Sequence, residues 1–189
     1  MKKGDQTRAR IVEAARQLFE RQGYAATGLQ EILKESQAPR GSFYFHFPGG
    51  KEALAVAVIE AHAEAFGAGL QAALANAPDV VTAGRLAVEL LAGQMEATAC
   101  QAGCPVSAVT LEMASTAPAL RDAAREAFEA WLGPVAARLE AEGLDPELAR
   151  SRARAVVSAL EGALILCRAY GHAGPLRDLS PLMPRLLGA

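Results

Sequence analysis

Arg40, Ser42, Tyr44, Phe45 and His46 bring a guanidinium, two hydroxyls, an aromatic ring and an imidazole into one run of seven residues. Gly41 leaves a gap between the first two where another backbone can come close. A guanidinium fork matches the O6/N7 edge of guanine or a phosphate, and hydroxyls and imidazoles match phosphate oxygens. The chemistry implied is recognition of a polar, anionic surface. Catalysis is not implied. No nucleophile stands at a recognisable distance from a base, and no paired-acid helix motif or metal cluster occurs. Gly49-Gly50-Lys51 resembles a phosphate loop, but no strand precedes it. The sequence therefore predicts no catalytic residue, no metal, no cofactor and no enzyme.

The flanking residues must position that run. Pro39 suits the first turn of a helix, because its φ is fixed and its missing N–H would be unpaired there. Pro48-Gly49-Gly50 stops the helix, and Phe43 and Phe47, spaced i, i+4, anchor one face of it. Upstream, Ile11, Ala15, Leu18 and Phe19 recur at helical spacing over about Asp5 to Gln22, closed by Gly23. Thr27-Gly28-Leu29-Gln30 reads as a capping box opening a second helix with Leu29, Ile32 and Leu33 inward. Two helices, a tight turn at Gln37-Ala38 and a short third helix make a helix-turn-helix, whose last helix enters the major groove of DNA.

Phe19, Gly23, Tyr24, Thr27, Ile32, Gly41-Ser42-Phe43-Tyr44, His46-Phe47 and Lys51-Glu52-Ala53-Leu54 resemble the N-terminal domain of TetR-type transcriptional regulators. Ala38-Pro39-Arg40-Gly41-Ser42 and Phe47-Pro48-Gly49-Gly50-Lys51 are further similar to the branch of efflux and flavonoid-responsive repressors. That family usually has glycine where this chain has Gln37, so a left-handed backbone there would be mildly strained. The resemblance implies double-stranded operator DNA as partner, with Arg40 reading a base, aided by Ser42 and Phe45. Gly41 allows close approach, and Thr27, Tyr44, His46 and Lys51 make phosphate contacts that fix the register.

Charge agrees. Up to Lys51 the chain has nine Lys/Arg against five acids, a net of +4; beyond it, ten Arg face sixteen acids, a net of −6. The overall −2 hides a basic end, and DNA affinity depends on local neutralisation of phosphates. Half of the 189 residues are apolar and few β-branched runs occur, so the class is all-α. The apolar stretch Ala155 to Cys167 is too short to span a bilayer, no export signal opens the chain, and three cysteines suit a reducing cytoplasm. The chain divides into a DNA-binding domain over 1–50 and a helical ligand-binding and dimerisation domain over 51–189.

In the second part a helix from Lys51 to about Ala77 is followed by others. One starts after Pro78-Asp79, a short one runs through Leu111 and Met113, and one starts at Pro118 with a kink at Gly133-Pro134. The last starts at Asp145-Pro146 and runs to about Tyr170, and a single helical turn lies near Leu182 to Leu187. On the last long helix Ala155, Ala159, Gly162 and Ala163 make one side small, which predicts a homodimer through a four-helix bundle, with Ala159 and Leu160 on the seam. Phe66, Leu70, Met95, Met113, Phe128, Trp131 and Leu164 each have an ordinary core role. The resemblance makes them, with Glu161, candidates to line an inducer pocket, and their apolar, aromatic character suits a small hydrophobic or aromatic inducer. The function expected is a ligand-responsive repressor with no membrane partner. The alternatives are a helical protein-interaction module and a thiol-responsive regulator, and a redox role for Cys100 and Cys104 is left open.

Overall fold

Several helices start or stop where their end residues dictate. The computed structural model describes residues 3–188, which are helical and joined by short turns, with no strand among them. Helix α1 (Lys3–Gln22) buries Ile11, Ala15, Leu18 and Phe19 and ends at Gly23, whose φ of +85° closes it with an N–H donated to the Phe19 carbonyl at 3.0 Å. Helix α2 (Leu29–Ser36) is capped by the extended Gly28 with no side-chain bond. The expected capping box is therefore absent: the helix starts one residue later than that box requires. The Thr27 hydroxyl turns back instead and donates to the Gly23 carbonyl at 2.7 Å. Gln37 ends α2 in the left-handed region (φ 52°, ψ 34°), as the missing glycine predicts. Helix α3 (Arg40–His46) follows, with Pro39 as its N-cap, one place earlier than expected.

Helix α4 (Gly50–Asn76) is succeeded by α5 (Val80–Ala97), whose N-cap Asp79 accepts from the Thr82 N–H at 2.6 Å. Helix α6 (Pro105–Met113) is short, and α7 (Pro118–Ala141) continues unbroken through Pro134, where a kink was expected. Helix α8 (Pro146–Tyr170) opens on Asp145, which accepts from two backbone N–H groups, and closes on Gly171 at φ +72°. The tail has more structure than one turn: α9 (Gly174–Arg177), a 3-10 turn (Ser180–Leu182) and α10 (Met183–Leu187). By length and composition α4 is long and apolar enough to cross a bilayer, unlike the Ala155–Cys167 stretch singled out by the sequence. A third of its most apolar window is buried, with Leu54, Val58 and Ile59 fully so.

Two compact units result, and they do not follow a division at residue 50. The first comprises residues 1–64 and 104–127, the second 65–103 and 128–189, so the boundaries fall inside α4 and α7. In the first, α2, α3 and α6 pack on α1. In the second, α5, α8, α9 and α10 pack on one another, with Leu176, Met183 and Leu187 buried among them. There Arg138 of α7 donates to the carbonyls of Leu74, Ala77 and Pro78 and pairs with Glu142, which accepts the Val80 N–H. These bonds fix the α4–α5 corner. Arg177 joins α9 to Glu89 and Glu96 of α5.

Candidate nucleic-acid interface and effector region

Helix α3 is only seven residues long and cannot hold itself together, so its anchors carry it. Phe43 is fully buried and Phe47 is 2% exposed, their ring centroids 5.6 Å apart, and the Arg8 guanidinium of α1 lies over the Phe47 ring. What the anchors leave outside is aromatic and cationic. Phe45 is 81% exposed and Tyr44 45%, and Arg40 is exposed with its guanidinium 5.9 Å from the Tyr44 ring centre, within reach of a cation–π contact. A Cβ added to Gly41 would meet nothing within 4 Å, so that flank of the helix is open. Ser42 and His46 are half-buried; the His46 ring stacks edge-on to Phe45 and faces Gly4 of α1.

Lys51 and Thr27 have other commitments. The Lys51 ammonium donates to the Tyr24 carbonyl at 2.5 Å and lies 4.1 Å from the centre of the Tyr24 ring. Burial pushes its pKa down, and the negative charge of Glu112 acts against that shift. Thr27 corrects the sequence reading. It is 1% exposed with its hydroxyl spent on Gly23, so its side chain shapes the turn before α2 instead of facing a phosphate.

In the second unit the structure gathers three of the candidate ligand residues. Phe66 and Phe128 both meet Trp131 edge-on, at 4.8 and 5.4 Å between ring centres, and Trp131 is 2% exposed. Met95 and Leu164 are buried, whereas Leu70 and Glu161 are half-buried. Met113 belongs to the first unit instead, at the end of α6. Leu160 is buried, so it does not stand on an open seam; the face of α8 left in solvent carries Ile165, Leu166 and Tyr170. Of the thiols, Cys100 and Cys167 are buried, and burial pushes the Cys167 thiol up, away from the reactive thiolate. Cys104 is half-buried at the N-cap of α6.

Sequence reasoning missed Arg138 and Glu112, whose backbone partners lie sixty or more residues away and leave no local signal. On α8 only Ile165 falls opposite Val156, Leu160 and Cys167 on a helical wheel; Leu166 and Tyr170 lie toward the edge of the buried stripe, so the open face was only partly legible.

Residues 11–58 match the bacterial regulatory proteins of the tetR family, and residues 80–181 match the C-terminal domain of LmrA/YxaF-like transcriptional regulators. The chain belongs to the TetR family. It is 33% identical to the HTH-type transcriptional regulator LmrA of Bacillus subtilis over 187 residues, covering 99% of each chain. It is 32% identical to the regulator YxaF of the same organism, covering 98% of this chain and 96% of the other. A TetR regulatory protein from Rhodobacter sphaeroides shares the fold at a TM-score of 0.84 and 25% identity, over 94% of this chain and 97% of that one. The TetR regulator of Legionella pneumophila does so at 0.82 and 24%, over 93% and 94%. This TetR-family protein is thus an all-α transcriptional regulator and not an enzyme. The family binds operator DNA and forms dimers, with a ligand-binding C-terminal domain.

Proposed function

We propose that this TetR-family protein is a repressor that a small apolar or aromatic inducer releases from its operator. The observation that carries the DNA half is the division of labour on α3: Phe43 and Phe47 are buried, while Arg40, Tyr44 and Phe45 are exposed. A fork placed on a groove-sized helix reads one base pair, and Phe45 offers apolar surface to a thymine methyl. Ser42 supports that reading, Gly41 allows close approach, and Tyr44 and His46 contact phosphates and fix the register, joined by Lys51 through the N–H groups it does not give to Tyr24. A protein with this target works where the chromosome is, in the cytoplasm.

The homodimer is proposed to close through the solvent-facing side of α8, on Ile165, Leu166 and Tyr170. Three large apolar side chains on one open face favour burial against a second copy. For the inducer, the support is the aromatic group Phe66–Trp131–Phe128, which suits a planar hydrophobic molecule; Leu70, Met95, Glu161 and Leu164 lie in the same unit and are proposed to complete the lining. Phe66 and Leu70 share continuous helix α4 with Lys51. Displacement of that helix therefore reaches a residue beside the reading head, and operator and inducer must weaken each other's binding by the same factor.

An electrophoretic shift with duplex DNA from upstream of the protein's own gene, competed by unrelated DNA, tests the reading. A shift that survives the competitor and is reversed by an aromatic compound is expected. A shift abolished equally by any DNA would contradict it.

A further inference from the structure

Glu112, on the exposed side of α6, reaches the turn between α1 and α2. The Ala25 N–H donates to its Oε2 at 2.5 Å, across 87 residues of sequence. The other carboxylate oxygen, Oε1, lies so close over Gly23 that a Cβ at that position would overlap it. Gly23 is favoured by its φ of +85°, which side-chain-bearing residues adopt only with strain, and its missing Cβ leaves the carboxylate room to lie over the turn. The same short turn is held from the opposite direction of the chain by Lys51, which donates to the Tyr24 carbonyl, and from within by the Thr27 hydroxyl on the Gly23 carbonyl. Three consecutive residues, Gly23 to Ala25, therefore have their backbone groups tied by one acid from α6, one base from α4 and one buried hydroxyl.

This turn sets where α2 begins, and α2 sets where α3 lies, because only the Gln37–Pro39 link separates them. From this geometry we infer that Glu112 is a positioning residue for operator recognition. Its carboxylate clamps the Ala25 amide and thereby fixes the α1–α2 turn, on which the orientation of the reading helix depends. The inference rests on the proposed DNA-reading role of α3. Glu112 touches no DNA in this account and acts only through the turn. A charge-assisted acceptor is stronger than a neutral one, and its field also reaches the Lys51 ammonium and the Tyr24 ring. An amide at this place could still accept the Ala25 N–H, whereas a methyl group could not.

The test compares Glu112→Ala and Glu112→Gln with the wild-type full chain. Readouts are the affinity for the operator and for unrelated duplex DNA, the salt dependence of both, thermal stability and amide exchange at Ala25. In Glu112→Ala, Ala25 exchange should quicken and operator affinity should fall about tenfold, since each dimer loses two clamps. Affinity for unrelated DNA, the salt slope and the melting temperature should stay as in wild type, and Glu112→Gln should recover most of the loss. Unchanged operator affinity in Glu112→Ala, with Ala25 exchange quickened, would overturn the inference alone. So would an equal fall in both affinities together with the melting temperature, because that is what loss of fold does. A wild-type protein without any operator preference would overturn the reading on which the inference rests.

Discussion

Helix α3 leaves Tyr44 and Phe45 in solvent, and α8 leaves Ile165, Leu166 and Tyr170 there, but the two exposures arise in different settings. Around α3 the rest of the exposed surface is polar or open: Arg40, Ser42, His46 and the bare flank of Gly41. Around α8 the neighbours are small and apolar, Ala155, Gly162 and Ala169 among them, and the opposite face is apolar too. An aromatic residue amid hydrogen-bonding groups suits a ligand with both base edges and methyls. A large aliphatic stripe amid small residues suits a second helix packed closely against it. The same degree of exposure therefore points to DNA on one helix and to another protein chain on the other.

The sharpest way to break this comparison lies on α8. Leu160→Arg puts a charge inside the second unit and should cost upwards of about 3 kcal/mol, enough to lose helical content on circular dichroism. Ile165→Arg, five residues on but facing outward, should keep the helical content and sediment as a monomer that has lost tight operator binding. If both variants stay dimeric and folded, the interface is elsewhere on the body.

The matching pair on α3 is Phe43→Ala and Phe45→Ala. The first removes a fully buried anchor and should cost about 3–5 kcal/mol of stability in a thermal melt. The second should leave stability within about 0.5 kcal/mol and weaken operator binding instead. Equal melting temperatures for the two would remove the distinction between anchor and reader.

These pairs show what was legible in sequence. On α3 two Phe at i, i+4 stand among polar residues, so the buried face could be picked from the string alone. On α8 both faces are apolar, and Leu160 was placed on the seam when it belongs to the interior. Helix starts were legible wherever a residue has one job, as at Asp79 and Asp145. They were misread where two neighbouring residues compete for a cap, as at Thr27 and Gly28. Distant partners such as Glu112 with Ala25 or Arg138 with Leu74 are products of packing, which no local pattern encodes.

A smaller effect separates interior from surface by acidity. His62, within α4 and close to Arg16 of α1, is held neutral by burial and by that positive charge, its pKa lowered to about 4 from 6.5. Between those values the unfolded chain takes up a proton that the folded one refuses. Stability is therefore full above about pH 6.5 and falls as pH drops toward 4, by about 3 kcal/mol. Glu20 nearby, whose carboxyl burial raises, works in the opposite direction as it protonates. Denaturation at a series of pH values should show the loss, and His62→Leu should flatten it. The smallest change belongs to Gln37: Gln37→Gly relieves the left-handed strain and should raise stability by roughly 0.5–1 kcal/mol in a thermal melt, leaving operator preference as it was.

Selection from a pool of random duplexes shows whether α3 reads DNA through Arg40. Wild type should enrich a two-fold-symmetric site. Arg40→Ala should enrich that site with preference lost at one symmetry-related base pair per half, a loss of about 1–3 kcal/mol in discrimination. An unstructured pool after selection by wild type, or the same site recovered with undiminished preference by Arg40→Ala, would contradict it.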